Sequence, residues 1–333
     1  MTANSWSISG EAAALHRDAL VWDAHGGFAY SAASVLAELE RWRHAGVDVL
    51  SLNLGYDATP WTLAIDAAAS YRAWVRQHPE HYLQVETVDD ILRAKREGKL
   101  AITFDLEGMN ALNGNVGMVD LYYRLGVRQM LFAYNLNNLA GGGCHDEDSG
   151  LTDFGREIIR EMNRVGMLVD CSHCGYRTSM EAIEASEAPV IFSHSNARAL
   201  HDHERNIWDD QALACAATGG VVGVTGVGLF LGPGGATVEH LVEHIDHYVQ
   251  LLGPEHVAIG MDSVLLQEQD EPLYDRARNF WPARQYPGER ATIIPPEAFP
   301  LVTEALLKRG YTDGQIRGIL GENFLGVARS VWK

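Results

Sequence analysis

Short apolar segments rich in β-branched residues recur along the chain, and amphipathic stretches with helical spacing separate them. Eight segments predict buried strands, at positions 19–23, 47–54, 100–106, 129–135, 167–171, 189–193, 220–225 and 257–261. Between them, positions 154–164, 178–185 and 238–252 predict helices. Strands that alternate with helices favour a parallel sheet, and a set of eight favours a closed (β/α)8 barrel.

A doubly wound open sheet is the alternative architecture. Such a sheet usually has a glycine-rich phosphate loop after its first strand, but this chain reads Asp23-Ala24-His25-Gly26-Gly27 there and lacks the G-x-G-x-x-G pattern. We therefore predict an α/β fold, a (β/α)8 TIM barrel of the metal-dependent hydrolase type, as a single domain over residues 1–333. Long loops at 140–150 and 267–296 are expected at its C-terminal face.

Composition narrows the classes of partner. The 333 residues carry a formal net charge of −18, which disfavours binding to nucleic acid or to an anionic membrane. No apolar run approaches the roughly 20 residues of a membrane-spanning helix. The first residues lack a basic patch followed by an apolar stretch, and the chain has four cysteines. These features predict a cytoplasmic protein in a reducing environment.

The barrel architecture places chemistry where strands end. The strand ends carry His25, Asn53, Glu107, Tyr134 with Asn135, His173, His194, Thr225 and Asp262. Buried imidazoles and carboxylates need partners, and a divalent metal is a partner that all of them can share. Imidazole nitrogen together with carboxylate oxygen suits Zn²⁺, with Mn²⁺, Fe²⁺ or Co²⁺ as substitutes. A carboxylate among several histidines, such as Glu107, can bridge two ions.

Several longer segments resemble one enzyme family. GLTDFGREIIREMNRVGMLVDCSH, APVIFSHSNARAL and ERNIWDD are similar to the membrane (renal-type) dipeptidases, metallopeptidase family M19 of the amidohydrolase-like superfamily. The similarity extends to D-A-H at 23–25, D-L-E-G at 105–108 and HVAIGMD at 256–262. This resemblance implies a (β/α)8 barrel with a dinuclear zinc site that hydrolyses dipeptides, including those with a C-terminal D-residue.

The resemblance also implies a role for each matching residue. His25 corresponds to a ligand of the first ion and Glu107 to the bridge between the ions, while His173 and His194 correspond to ligands of the second ion. Asp262 corresponds to the aspartate that closes the first site and moves a proton. Arg205 corresponds to the arginine that binds the C-terminal carboxylate of the substrate, a task that suits its two-point guanidinium fork.

The chain departs from the family pattern at two positions. Gly27 stands where the family has a second ligand of the first ion, so that ion is expected to be held weakly or to be missing. Tyr134 stands where the family has a histidine before asparagine, so its hydroxyl is expected to stabilise the oxyanion, and Asn135 is expected to contact substrate.

These observations predict a zinc-dependent dipeptidase that acts on dipeptides, L,D-dipeptides among them, and forms a homodimer. One alternative is a related barrel hydrolase or lyase that acts on a non-peptide carboxylated small molecule. Another is a catalytically silent barrel that binds such a ligand. The glycine-rich loop at 140–150 is either a mobile surface loop or a substrate lid, and the segment 267–296 either covers the mouth or forms a subunit interface.

Overall fold

The computed structural model describes residues 6–28, 36–265, 275–288 and 291–333. Its strands are β1 (Trp22–Phe28), β2 (Val49–Tyr56), β3 (Tyr82–Gln84), β4 (Leu100–Glu107), β5 (Val127–Leu131), β6 (Leu168–Asp170), β7 (Val190–Ile191), β8 (Val222–Val224), β9 (Val257–Ile259) and β10 (Ser263–Leu265). Every pair of neighbouring strands is parallel.

Helices follow most of the strands. They are α1 (Gly10–Asp18), α2 (Glu40–His44), α3 (Trp61–Gln77), α4 (Val88–Glu97), α5 (Met118–Leu125), α6 (Asp153–Val165), α7 (Tyr176–Ala185), α8 (Asp209–Ala217), α9 (Gly228–Leu231), α10 (Val238–Leu252), α11 (Phe299–Lys308), α12 (Asp313–Arg317) and α13 (Asn323–Val331). Within the described parts of the chain, none of them is both long enough and apolar enough to cross a membrane.

The strands form a closed ring. β1 lies beside β2, and β4, β5, β6 and β7 follow in sequence order. A bridge between Phe192 and Val222 joins β7 to β8, and β8 pairs with β9. After Gly260–Asp262 the chain continues as β10, which pairs with β1 and completes the ring. Each of the eight predicted segments supplies one position of the ring, so the predicted barrel is confirmed. β3, which pairs with β4, is an addition that the sequence pattern did not predict.

The inward-facing positions of the strands change character along the barrel axis. In β4, alternate residues run from Ala101 through Thr103 and Asp105 to Glu107, and all four are buried. Because alternate residues of a strand face the same side, the interior is apolar at the amino ends of the strands and polar at their carboxyl ends. At the amino end, the ring of Trp22 packs 4.7 Å from that of Phe324 in α13. This apolar layer supports the polar cluster above it.

Candidate metal centre

The polar cluster at the carboxyl ends of the strands brings together five of the residues that the sequence singled out: His25, Glu107, His173, His194 and Asp262. The Oε1 atom of Glu107 lies 3.0 Å from Nε2 of His173, 3.4 Å from Nε2 of His194 and 3.6 Å from Nε2 of His25. The Oδ1 atom of Asp262 lies 3.6 Å from Nε2 of His25. Within the described residues, His25, Glu107 and His194 form a group whose geometry could hold a metal ion.

The backbone at this cluster departs from ordinary strand geometry. Asn135, His173 and Asp262 have φ angles of 65°, 64° and 57°, in the left-handed region that non-glycine residues seldom adopt. The three residues come after β5, β6 and β9 respectively. Backbone strain of this kind persists where the surrounding structure requires it, often at functional sites.

Each of the three histidines is oriented through its Nδ1 atom. The Nδ1 atom of His25 lies 3.2 Å from Oδ2 of Asp105, and that of His173 lies 2.7 Å from Oδ1 of Asn135. Both partners are acceptors, so these two Nδ1 atoms carry the protons. Such partners set the tautomer and the direction of a metal-binding imidazole.

His194 reaches the same state through a hydroxyl group. Its Nδ1 atom lies 2.7 Å from Oγ of Ser193, whose own proton is donated to Asp170. The serine oxygen therefore accepts the proton of Nδ1. As a result, the Nε2 atoms of His173 and His194 both present lone pairs towards Glu107.

This arrangement fits a bound cation. The Nε2 atoms of His173 and His194 are 2.9 Å apart, and neither carries a proton to donate to the other. Both also face the carboxylate of Glu107, which is another acceptor when it is ionised. Buried acceptors that face one another without a donor are unfavourable, and a divalent ion with nitrogen and oxygen ligands removes that conflict.

The pKa shifts of the two histidines agree with their role as neutral acceptors. Burial keeps the pKa of His173 and of His194 well below the usual histidine value, so both imidazoles are neutral. Burial raises the pKa of Glu107 to about 8 and also raises the pKa of Asp262. For His25, burial acts in the opposite direction, but the nearby carboxylates of Asp105 and Glu107 raise its pKa well above the usual value. A divalent cation would favour the ionised carboxylates.

Gly27 lies on β1 at the edge of the cluster, and its φ of 153° is one that side-chain-bearing residues rarely adopt. A Cβ atom built there would lie 3.2 Å from Cδ1 of Leu52 and 3.6 Å from Cβ of Asn53. The position therefore faces Asn53, whose Nδ2 atom donates to Asp105 at 2.8 Å and to Oε2 of Glu107 at 3.3 Å. The amide of Asn53 thus engages Oε2 of Glu107.

Arg205 lies beside the cluster and is 1% exposed. One Nη atom donates to the backbone oxygen of His194 at 3.2 Å, and the guanidinium carbon lies 5.2 Å from the centre of the Phe230 ring. Its Nε atom is buried without a hydrogen-bond partner among the described residues. A buried guanidinium group with an unused donor is suited to bind an anionic group of a ligand.

Tyr134 and Asn135 have different surroundings from each other. The ring of Tyr134 stacks on that of His173, with 4.3 Å between centroids, and Nε1 of Trp281 donates to its hydroxyl oxygen at 3.3 Å. Asn135 is fully buried, with Oδ1 on His173 and Nδ2 donating to the oxygen of Phe280 at 2.9 Å. Both ends of its amide are engaged by protein partners, and the contact between Asn135 and substrate stays a prediction. Asn135 thus lies behind His173, on the side of the imidazole that faces away from Glu107.

The loop at 140–150 is hydrogen-bonded to the residues that follow two of the strands. The backbone N–H of His145 donates to the oxygen of Asn135 at 2.8 Å, and that of Cys144 donates to the oxygen of His173 at 2.9 Å. A Cβ atom at Gly143 would lie 2.2 Å from the carbonyl carbon of Asn135. Glycine is thus needed at position 143 for close packing against the backbone of Asn135.

The predicted loop at 267–296 lies partly outside the described residues, which include 275–288 and 291–296 of it. The described part covers the mouth, because Trp281 contacts Tyr134 and the Tyr286 hydroxyl lies 3.0 Å from Nε2 of His145. Asp105, His145 and Tyr286 were not among the site residues predicted from the sequence. Asp105 could have been found, because it lies two residues before Glu107 on the same face of the strand.

Comparisons with known proteins identify the family of this chain. The family model described as membrane dipeptidase (peptidase family M19) matches residues 57–266, which is more than half of the chain. The chain belongs to the membrane dipeptidase family. This confirms the resemblance seen in the sequence.

Two curated relatives carry dipeptidase names. An uncharacterized dipeptidase of Schizosaccharomyces pombe is 34% identical over 261 residues, which cover 75% of this chain and 56% of that protein. Dipeptidase tcpJ of Claviceps purpurea is 32% identical over 248 residues, which cover 73% of this chain and 54% of that protein. The chain therefore spans about half the length of the curated relatives it matches.

A solved structure matches over nearly the full length. The crystal structure of an amidohydrolase from Pseudomonas aeruginosa superposes with a TM-score of 0.86 and 31% sequence identity. The match covers 96% of this chain and 99% of that one. The barrel and its surrounding helices are thus shared with a protein described as an amidohydrolase.

Proposed function

We propose that this protein is a zinc-dependent dipeptidase. The observation that carries the proposal is the buried, partly unpaired guanidinium group of Arg205 next to the convergent nitrogen and oxygen ligands of His194 and Glu107. The first of these features suits a free carboxylate and the second suits a metal ion, and a dipeptide offers a carboxylate close to a scissile amide. Membership of the family and the names of the curated relatives support the same activity.

The donor set supports zinc as the ion. His25, His173, His194, Glu107 and Asp262 would hold it, and this mixture of imidazole and carboxylate suits Zn²⁺. When bound, the ion would polarise the scissile carbonyl and lower the pKa of a water molecule. We infer one tightly bound ion, because Gly27 provides no ligand and Asn53 engages Oε2 of Glu107.

The residues around the ion have separate tasks in this proposal. Arg205 binds the C-terminal carboxylate and thereby fixes the register of the substrate. Asp262 moves a proton between the attacking water and the leaving amine. Tyr134, whose ring stacks on that of His173, carries a hydroxyl group that would donate a hydrogen bond to the developing oxyanion.

The family also suggests the stereochemistry of the substrate. We infer that dipeptides with a C-terminal D-residue are accepted together with L,L-dipeptides. A panel of L-Ala-L-Ala, L-Ala-D-Ala, the amide of L-Ala-D-Ala and N-acetyl-D-Ala tests this, with the protein loaded with Zn²⁺ and its metal content measured. We expect turnover of the two free dipeptides and much weaker turnover of the amide. A zinc-loaded protein inactive on every dipeptide would refute the proposal.

A second function is favoured by one observation. The ring centre of Tyr134 lies 5.1 Å from that of Tyr56 and 6.1 Å from those of Phe280 and Trp281. The rings of Tyr56 and Trp281 are 6.2 Å apart. Because Tyr134 also stacks on His173, the four rings form an aromatic wall next to that histidine. Such a wall suits a bulkier amide or ester with a carboxylate group better than it suits alanine dipeptides. Turnover of N-acyl aromatic amino acids in preference to free dipeptides would select this function.

The homodimer and the cytoplasmic location inferred from the sequence belong to the same proposal. Light scattering of the purified protein tests the first, and cell fractionation tests the second.

A further inference from the structure

One buried carboxylate lies between the two strand ends that carry His173 and His194. Asp170 is the last residue of β6, and its Oδ1 atom accepts hydrogen bonds from the backbone N–H groups of Ser172 and Ser193, both at 3.0 Å. Its Oδ2 atom accepts the hydroxyl proton of Ser193. The backbone N–H of His194 in turn donates to Oγ of Ser172 at 3.1 Å. Asp170 therefore joins the two turns that present these histidines.

The charge of Asp170 is not needed to hold these turns. Its partners are two backbone N–H groups and one hydroxyl group, and none of them is charged. A carboxylate buried without a cation is costly, and burial raises the pKa of Asp170 while the groups that donate to it counteract that rise. The amide oxygen of an asparagine could accept the same two backbone N–H groups. An NH2 group at the Oδ2 position, however, is a donor and could not accept the hydroxyl of Ser193.

The direction of the Ser193 hydroxyl decides which nitrogen of His194 carries the proton. Oγ of Ser193 lies 2.7 Å from Nδ1 of His194, and the one hydroxyl proton goes to Asp170. The serine oxygen can then only accept from Nδ1–H, so Nε2 keeps the lone pair that a metal ion needs. A reversed hydroxyl would make Nδ1 the acceptor and would move the imidazole proton to Nε2, the atom that faces Glu107 and His173.

We propose that Asp170 is a positioning residue that acts through Ser193 to keep His194 in the tautomer that can bind a metal ion. This inference rests on the zinc site proposed above and gives the charge of Asp170 a task there. Asp170 itself touches neither the ion nor the substrate. At His25, by contrast, the carboxylate of Asp105 lies directly beside Nδ1, at 3.2 Å.

Asp170→Asn tests this polarity without a change of shape. Its amide oxygen should accept from the two backbone N–H groups, which leaves its NH2 group facing Oγ of Ser193. That oxygen then accepts from the amide and donates its own proton to Nδ1 of His194. In metal-free protein with ¹⁵N-labelled histidine, NMR should show His194 protonated on Nδ1 in the unaltered chain and on Nε2 in Asp170→Asn. The signals of His194 are those that His194→Ala lacks.

Zinc affinity, measured by competition with a chelator, gives a second readout. Ser193→Ala removes the hydroxyl and leaves the tautomer of His194 free, so zinc should bind roughly 10- to 100-fold more weakly, the usual cost of losing the partner of a metal ligand. Asp170→Asn should bind zinc more weakly still, because its serine holds the wrong tautomer. The double variant should recover to the level of Ser193→Ala, since no hydroxyl is left to reverse. A carboxylate with a merely structural role would make the double variant worse than either single one.

Ser51→Ala is the matched control. Ser51 is also buried inside the barrel, and its Oγ atom accepts from Nε1 of Trp22 at 3.2 Å and from Oγ1 of Thr103 at 3.1 Å. None of these partners is a proposed metal ligand. The variant should therefore keep the zinc affinity and the His194 tautomer of the unaltered chain.

The outcomes separate this inference from the proposed function. If the unaltered protein binds no zinc, the proposed function fails, and the tautomer of His194 in the metal-free protein still decides the role of Asp170. If Asp170→Asn keeps Nδ1 protonated, or if the double variant binds zinc no better than Asp170→Asn, the assignment of Asp170 is wrong. If Asp170→Asn does not fold, Ser193→Ala decides: a smaller fraction of Nδ1-protonated His194 supports the inference, and an unchanged fraction overturns it.

Discussion

The metal side and the substrate side of this site are built in different ways. The metal side consists of His25, Glu107, His173, His194 and Asp262, at strand ends. The substrate side consists of Tyr134, His145, Arg205, Trp281 and Tyr286, in the loops that follow the strands. Residues of the metal side are oriented by partners deeper in the barrel, such as Asp105 on His25 and Ser193 on His194. Residues of the substrate side are oriented mainly by one another.

This difference indicates how each side can vary. Barrel strands are fixed by parallel pairing and by the apolar layer below, so ligands at their ends keep their positions when the loops change. The loop residues depend on contacts between distant segments, as in the pair of His145 and Tyr286, so they can be replaced in groups to change the substrate. Substitutions on the two sides should therefore affect different measurements.

The largest effect is expected for a metal ligand. His194→Ala should remove most of the zinc, because it deletes one direct bond and leaves Ser193 and Asp170 with no imidazole to orient. His173→Ala should do the same. Metal analysis after dialysis measures the loss, and His81→Ala, in a histidine with a side chain 41% exposed, is the control that should keep full content. Full zinc content in both ligand variants would contradict the site.

Tyr134→Phe should have the next largest effect, this time on rate and not on metal. Phenylalanine keeps the stacking on His173 and removes the hydroxyl that receives the N–H of Trp281. Loss of one oxyanion donor lowers kcat by roughly 10²–10³-fold. Steady-state kinetics on L-Ala-D-Ala together with zinc analysis separates the two sides. A normal kcat would show that the ring serves only as a wall of the pocket.

Arg205→Lys should have a smaller effect that depends on the substrate. Lysine offers a point charge in place of a planar fork, so KM should rise about 10- to 150-fold for dipeptides with a free carboxylate, corresponding to roughly 1.5–3 kcal/mol. Amidated substrates should be affected much less. Because Arg205 also donates to the backbone oxygen of His194, zinc content and thermal stability are the controls. An equal rise in KM for both substrate classes would assign Arg205 a structural role.

The sequence predicted the two sides unequally well. Strand positions follow from apolar segments, and the residue after an apolar strand marks its end, so Glu107 and Asp262 could be placed without coordinates. The same alternation would have identified Asp105. The link from His145 to Tyr286 spans 141 positions and lies in loops without periodicity, so no local pattern predicts it. Arg205 was found only through the family resemblance.

The position of Asn135 behind His173 could not be predicted from the sequence, for a related reason. A polar residue at a strand end can face the ligand or stand behind another ligand, and the choice depends on the backbone turn. Asn135 has a φ of 65°, which directs its side chain to Nδ1 of His173. Sequence spacing alone does not predict such a left-handed residue outside glycine.

The smallest effect is expected at Gly27, where the family ligand is missing. The sequence suggests that Gly27→Asp would add that ligand and increase the number of ions, but the φ of 153° and the 3.2 Å approach to Leu52 argue against it. We expect Gly27→Ala to lower the free energy of unfolding by about 1 kcal/mol, and Gly27→Asp to be destabilised without gaining a second ion. Urea unfolding and metal analysis measure both effects.

Gly314→Ala in α12 is the matched control, because a Cβ atom there meets nothing within 4 Å. Since alanine favours a helix more than glycine does, this change should raise the free energy of unfolding by about 0.5–1 kcal/mol. Two tightly bound ions in Gly27→Asp with unchanged stability would show that the β1 backbone adapts, and that glycine alone keeps the first site incomplete.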